Sequence, residues 1–185
     1  MLRALDVVLA LVGLVLAWPV MVLLFLAGLV DTGAPIFRQV RVGRGRQVFT
    51  LYKFRTMRPD APHVATHEVS AVLITPLGHF LRRTKLDELP QLWNVVRGDM
   101  SLVGPRPCLP SQVDLIVERD RLGVFSVRPG ITGLAQISGI DMSTPRRLAE
   151  TDARMIASLG VGAYLRYILL TVLGRGGGDR VRRPD

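Results

Sequence analysis

Cysteine is nearly absent from this 185-residue chain: Cys108 is its only one. That excludes an intrachain disulfide and a cysteine-rich zinc site, and it is compatible with the cytoplasm. A lone cysteine most often acts as a small buried hydrophobe. Acidic residues are also scarce, 15 against 24 Lys and Arg, which leaves a formal charge of +9. With a pI near 11.1, the chain is suited to anionic headgroups and phosphate substrates. On charge alone it suits nucleic acid equally well, but no nucleic-acid-binding motif is recognisable, and no nucleic-acid partner is expected. There are no internal repeats. Charge of either sign is missing from all 24 positions between Val7 and Val30.

That uncharged run exceeds the roughly 18 apolar residues that mark a membrane helix. Nearly half of the chain is hydrophobic, and mean hydropathy is +0.32. A polar domain attached to membrane lipids fits both figures. Pro19 interrupts the run and removes a helical hydrogen bond. Two shapes follow: a kinked spanning helix, or a re-entrant helix-break-helix that enters and leaves one leaflet. Arg3 on one flank and Arg38, Arg41, Arg44 and Arg46 on the other are compatible with both flanks inside.

The densest chemistry lies in Leu86-Asp87-Glu88-Leu89-Pro90-Gln91-Leu92 and in the following Gly98-Asp99-Met100-Ser101-Leu102-Val103-Gly104-Pro105-Arg106-Pro107. Thr84 stands three residues before Asp87, the spacing of a capping box with Thr84 as N-cap. Leu89, Leu92 and Val96 recur at helical spacing and predict a buried stripe. Asp87 and Glu88 would then occupy a first helical turn, where the dipole favours negative charge. They are either ordinary first-turn acids or a reactive pair. Gly104-Pro105-Arg106-Pro107 holds one guanidinium between prolines. Arg128-Pro129-Gly130-Ile131-Thr132-Gly133 repeats the device, its glycines letting backbone approach a ligand. Tyr52-Lys53-Phe54-Arg55-Thr56-Met57 alternates cations with apolar residues. An acidic pair among positioned cations is the inventory expected for a metal-bound diphosphate.

These blocks, with Pro35 to Gly43 upstream and Leu134-Ala135-Gln136 downstream, resemble the bacterial sugar transferases of the monotopic phosphoglycosyl transferase superfamily. The resemblance runs from about Val7 to Leu173 and is closest to the minimal members. It implies transfer of a sugar 1-phosphate from a UDP-sugar to polyprenyl (undecaprenyl) phosphate, with release of UMP, as the first membrane step of glycoconjugate assembly. Asp87 then matches the family's nucleophile, which forms a covalent phosphosugar intermediate. Glu88 matches its acidic partner. Mg²⁺ is the implied cofactor, held by these two carboxylates. Lys53, Arg82, Arg106 and Arg128 fall on positions the family keeps basic, and Asp152 matches a further acid in a late helix. The resemblance favours the re-entrant helix, on the cytoplasmic face of the bacterial inner membrane. Gly139 to Pro145 departs from the family pattern, which leaves the sugar open. Small members often take N-acetylated, sometimes 6-deoxy, sugars. A monomer and a homodimer are both compatible with the sequence. A membrane-anchored basic binding module without chemistry is the competing reading.

The expected fold is α+β and mostly helical: a membrane helix over residues 1–31, a catalytic domain over 32–173 and a flexible basic tail over 174–185. Ile36 to Met57 predicts a β-hairpin around Gly43-Arg44-Gly45-Arg46. Amphipathic interfacial helices are expected over Leu73 to Arg83 and Pro110 to Leu122. Thr144-Pro145 opens another, to about Leu159. Val161 to Leu173 is apolar but too short to span. His63 and His67 are four apart with Glu68 beside them, yet Pro59 and Pro62 argue against a helix that would join them in a metal site.

Overall fold

The computed structural model describes residues 2–61 and 71–176. His63, His67, Glu68 and all but the first three residues of the expected tail lie outside the described residues. The fold is α+β and mostly helical, as expected. Helix α1 (Leu2–Thr32) leads into strands β1 (Ile36–Val42) and β2 (Val48–Phe54). Helices α2 (Pro76–Thr84) and α3 (Gln91–Arg97) follow, then strand β3 (Ser101–Val103) and helix α4 (Val113–Arg121). Strand β4 (Gly130–Thr132) precedes helices α5 (Leu134–Ile137), α6 (Pro145–Ala157) and α7 (Val161–Val172).

The hairpin forms where the alternating β-prone residues place it. β1 and β2 pair antiparallel from Ile36↔Phe54 to Val42↔Val48. Gly45 at φ 61° lets the basic turn close. Thr75 is the N-cap of α2 and accepts from the Gly78 N–H at 2.9 Å, with Pro76 pre-set at the first position. Helices α4, α6 and α7 lie where the sequence periodicity places them, within a few residues.

Helix α1 is continuous through Pro19 and starts five residues before the uncharged run. It is docked at both ends. Near its start, Arg3 donates to the Val96 carbonyl at 3.2 Å, at the C-terminus of α3. Asp6 is buried there and accepts from the Ser101 hydroxyl (2.8 Å), the Leu102 N–H (2.8 Å) and the Tyr164 hydroxyl (2.6 Å). Burial of Tyr164, and its bond to Asp6, push that phenol above its ordinary pKa. Near the other end, Leu24 packs with Phe54 and Leu81, and the Thr75 hydroxyl donates to Asp31 at 2.7 Å. Between these docks Val15, Leu16, Trp18 and Leu23 are exposed.

The core has several patches, and α1 enters three of them. Ala10 joins Leu51, Val95 and Met100. Leu2, Leu5 and Leu9 cover Val103, Met155 and Tyr164. A further patch without α1 gathers Val42, Cys108, Leu115, Ala135 and Leu148. Cys108 is fully buried there, and burial raises its thiol pKa. It is the small hydrophobe the sequence suggests.

The strands β3 and β4 form a parallel pair, Ser101↔Gly130 and Val103↔Thr132. Glycines at their edges permit this close approach. A Cβ on Gly130 would stand 2.0 Å from the Gly104 nitrogen, and one on Gly104 would stand 2.5 Å from the Arg128 carbonyl. The sequence suggested that such glycines admit a ligand; in the structure they admit neighbouring backbone. The Gly104 N–H donates to the Thr132 carbonyl (2.8 Å) and the Gly130 N–H to the Pro105 carbonyl (2.9 Å).

Candidate active site

The segment around Asp87 is not the capped helix that its spacing predicts. Thr84 is the last residue of α2, and its hydroxyl donates backward to the Phe80 carbonyl at 2.9 Å. It caps nothing ahead of it. Lys85 then takes the left-handed conformation, φ 58° and ψ 16°, which ends α2. Leu86–Glu88 follows as a single 3₁₀ turn, and α3 begins only at Gln91. The physical reason is the reversal at Lys85: a residue at positive φ cannot sit inside a right-handed helix. The expected stripe is also displaced. The buried face of α3 is Gln91, Asn94 and Val95, whereas Leu92 and Val96 are only partly buried.

The turn is pinned from behind. Asn94 is fully buried, accepts from the Tyr52 N–H at 3.1 Å and donates to the Thr50 carbonyl at 2.7 Å. These bonds tie α3 to β2, and β2 in turn packs on the Leu86–Glu88 turn. Asp87 is 8% exposed. Glu88 meets the Arg106 guanidinium at 3.1 Å. Arg82 donates from Nε to the Thr56 hydroxyl at 2.9 Å. α2 can approach Thr56 because position 78 is glycine, where a Cβ would stand 2.0 Å from the Thr56 carbonyl.

These residues open onto a cleft of about 490 Å³. One side is charged: Arg82, Lys85, Asp87, Glu88 and Arg106. The rest is neutral or backbone: Ile131, Thr132, Gln136, Thr171 and Gly176, with Arg175 between the two. Burial lowers the Lys85 ammonium below the usual lysine range; nearby Glu88 opposes that shift and Arg106 adds to it. Its Nζ donates to the Arg175 carbonyl at 2.6 Å.

Four of the residues that the sequence singled out therefore meet: Arg82, Asp87, Glu88 and Arg106. Three do not line this cleft. Lys53 is buried on β2, 5.4 Å from the Phe37 ring centroid. Arg128 donates to the Gly98 carbonyl at 2.8 Å, at the C-terminal end of α3. Asp152 is fully buried and paired with Arg119 at 2.7 Å. Arg119 also donates to the Arg106 carbonyl at 2.8 Å, so this ion pair stands directly behind the arginine of the cleft.

Residues 1–175 match the family described as bacterial sugar transferase. The chain belongs to that family. As a family member it is 37% identical to the galactosyl transferase CpsE of Streptococcus agalactiae over 186 residues, which cover 92% of this chain and 41% of the relative. It is 39% identical to the UDP-glucose:undecaprenyl-phosphate glucose-1-phosphate transferase of Caulobacter vibrioides, over 92% of this chain and 67% of that protein. It is 38% identical to the undecaprenyl-phosphate galactose phosphotransferase of Salmonella typhimurium, over 74% of this chain and 32% of the relative. The chain thus spans under half of the first and third of these relatives.

Sequence reasoning missed Lys85, Thr132, Gln136, Thr171 and Arg175 as walls of the cleft. Gln136 closes the Leu134-Ala135-Gln136 block, and Lys85 stands two residues before Asp87, so proximity to quoted motifs was the available signal. Thr171 and Arg175 carry no such mark. They reach the cleft only because α7 folds back onto β4.

Proposed function

We propose that this chain transfers a sugar 1-phosphate from a UDP-sugar to polyprenyl phosphate, releasing UMP, through a covalent intermediate on Asp87. The observation that carries this reading is the charged wall of the cleft, where two adjacent carboxylates stand among Arg82, Lys85 and Arg106. Relatives named for glucose, galactose and undecaprenyl phosphate support the substrate class.

In the first displacement an Asp87 carboxylate oxygen attacks the sugar-bearing phosphorus. The bond from that phosphorus to the UMP oxygen breaks, and UMP leaves with the electron pair. In the second, an oxygen of polyprenyl phosphate attacks the same phosphorus and displaces the Asp87 carboxylate. The product is polyprenyl-diphosphate-sugar. Covalent catalysis divides one difficult transfer into two. Arg82 and Arg106 stabilise charge on the phosphoryl oxygens and on departing UMP. The Arg106–Glu88 bond fixes where that guanidinium points.

Among the described residues no three His, Cys, Asp or Glu side chains gather to form an all-protein metal cage. Mg²⁺ does not require one: it is commonly held by one or two carboxylates together with substrate phosphates. Asp87 and Glu88 fit that donor set. Bound there, Mg²⁺ would offset the repulsion between the carboxylates and the diphosphate.

Helix α1 is long and apolar enough to cross a membrane. α1 shows no break at Pro19, so the re-entrant reading rests instead on its two docks, which hold both ends on one domain; it puts the cleft at headgroup depth on the cytoplasmic face of the inner membrane. There an acceptor with a lipid tail presents its phosphate to Asp87.

The test is UMP release by detergent-purified protein given undecaprenyl phosphate, Mg²⁺ and UDP-glucose, UDP-galactose or UDP-N-acetylhexosamines. Asp87→Asn is expected to lose activity by about 10³-fold or more, and without acceptor the wild type should carry a phosphosugar on the Asp87 peptide. Near-normal turnover in Asp87→Asn would remove Asp87 from the chemistry. A chain that binds membranes but neither binds nor turns over any UDP-sugar would be a binding module.

A further inference from the structure

The neutral wall of the cleft contains one polar side chain whose hydrogen bonds are not made among the described residues. Thr132 and Thr171 satisfy each other at 2.5 Å, and the Thr171 hydroxyl also bonds the Tyr167 carbonyl at 2.9 Å. Gln136 has no such closure. Its Oε1 and Nε2 are both buried, and neither has a hydrogen-bond partner among the described residues. The side chain lines the cleft with Thr132, Thr171 and Gly176. Its position is tightly set. A Cβ on Gly133 would stand 3.0 Å from Gln136 Oε1, and one on Gly176 would stand 2.9 Å from the Gln136 backbone carbonyl.

A buried primary amide with both its acceptor and its donors unmet is costly, and folded proteins rarely keep one without a use. Hydrophobic packing would be served better by methionine or leucine. From this we infer that Gln136 is a recognition residue for the neutral, hydrogen-bonding part of the nucleotide sugar, reading a ligand edge that offers an acceptor beside a donor. The inference rests on the nucleotide-sugar reading above. With the diphosphate held on the charged wall, two parts of the donor carry such an edge. One is the uracil imide, and the other is a pair of sugar hydroxyls.

Two near-isosteric variants test this. Gln136→Met removes both hydrogen-bonding functions, and Gln136→Glu replaces the donor with a second acceptor and adds a negative charge. The readouts are binding of UMP and of several UDP-sugars by titration calorimetry with Mg²⁺ present, kcat/KM for each sugar, and thermal unfolding without ligand. A site built around a buried hydrogen-bonding group discriminates strongly against losing it, so UDP-sugar affinity and kcat/KM should fall by about 10- to 100-fold in both variants. Gln136→Met should unfold at or above the wild-type temperature, because the uncompensated amide is gone. A uniform loss that includes UMP assigns the uracil. A loss that differs between sugars and spares UMP assigns the sugar. Affinities and kcat/KM within about twofold of wild type for every ligand would overturn the inference. So would a loss of activity in Gln136→Met accompanied by a fall in its unfolding temperature, which would make the amide part of the fold; Gln136→Glu buries a charge, so its stability does not bear on this. If wild type binds UDP-sugars through Gln136 yet releases no UMP, the transfer reading fails and this one stands.

Discussion

Asp152 shows how a conspicuous acid near a site differs from an acid in it. Its carboxylate is inaccessible to solvent and takes 3.1 Å and 2.7 Å hydrogen bonds from Arg119 Nε and Nη2 through a single oxygen, Oδ2. Burial pushes the Asp152 carboxyl up, and the guanidinium opposes that shift. Oδ1 has no hydrogen-bond partner among the described residues, so this is an ion pair with imperfect compensation. Arg119 also donates to the Arg106 carbonyl, so the pair reaches the cleft through the backbone rather than through a substrate. Removing one member of a buried pair leaves the other charge unmatched and costs about 3–5 kcal/mol. Asp152→Asn is therefore expected to lower the unfolding temperature steeply. Replacing both members, as Asp152→Leu with Arg119→Met, should recover most of that loss, because well-packed apolar substitutes often match a buried pair. Thermal unfolding of these two variants and of wild type, beside UMP release, decides the matter. An Asp152→Asn protein as stable as wild type, yet inactive, would return Asp152 to the chemistry.

At the scale of elements, local patterns revealed some segments and not others. The hairpin, α2, α4, α6 and α7 each carry their own period or cap, and all were legible. The turn at Asp87 was not, because the decisive residue is Lys85, a lysine in a conformation that glycine usually occupies. Its sequence context gives no warning of positive φ. The pairing of β3 with β4 was also invisible. Each strand has three residues, they lie almost thirty positions apart, and neither has room for an alternating pattern. Their glycines were legible as special, but their service to backbone packing is a tertiary fact. So was half the cleft, which depends on α7 returning to β4. The glycine contacts yield a direct test. In Gly130→Ala the new methyl meets the Gly104 backbone nitrogen at 2.0 Å, a position no side-chain rotation can relieve. The β3–β4 pair, which leads to Arg106, must open. A loss of several kcal/mol in urea unfolding is expected, with loss of UMP release. Gly162→Ala is the control: nothing lies within 4 Å of its Cβ, and inside α7 alanine should leave stability at the wild-type level or up to about 1 kcal/mol above it. Equal stability of the two variants would mean that the strands are not held as close as described.

The molecule as a whole has two surfaces that prefer different solvents. Charged residues line one side of the cleft, whereas α1 exposes Val15, Leu16, Trp18 and Leu23, and α7 adds Leu169 and Val172. So many exposed large apolar side chains are uncommon on proteins that live in water, and burying them is worth about 25 cal/mol per Å². The same helix also carries a polar dock, where Asp6 holds Ser101, Leu102 and Tyr164 together. Anchoring and docking are therefore physically separate tasks on one helix, the first apolar and outward, the second polar and inward. Asp6→Ala removes the acceptor for three hydrogen bonds but none of the outer face. Left without a partner, the buried Tyr164 hydroxyl and Leu102 N–H each cost about 1–3 kcal/mol. The variant should thus unfold at lower temperature in detergent, yet float with liposomes as completely as wild type at both 0.15 M and 1 M salt. Screening at 1 M salt reduces the range of surface charge interactions to about 3 Å but leaves apolar insertion intact. Release of the wild type by high salt would instead assign attachment to the +9 net charge. Loss of flotation in Asp6→Ala alone would mean that the membrane face exists only while α1 is docked, so that anchoring and folding of the cleft are one event.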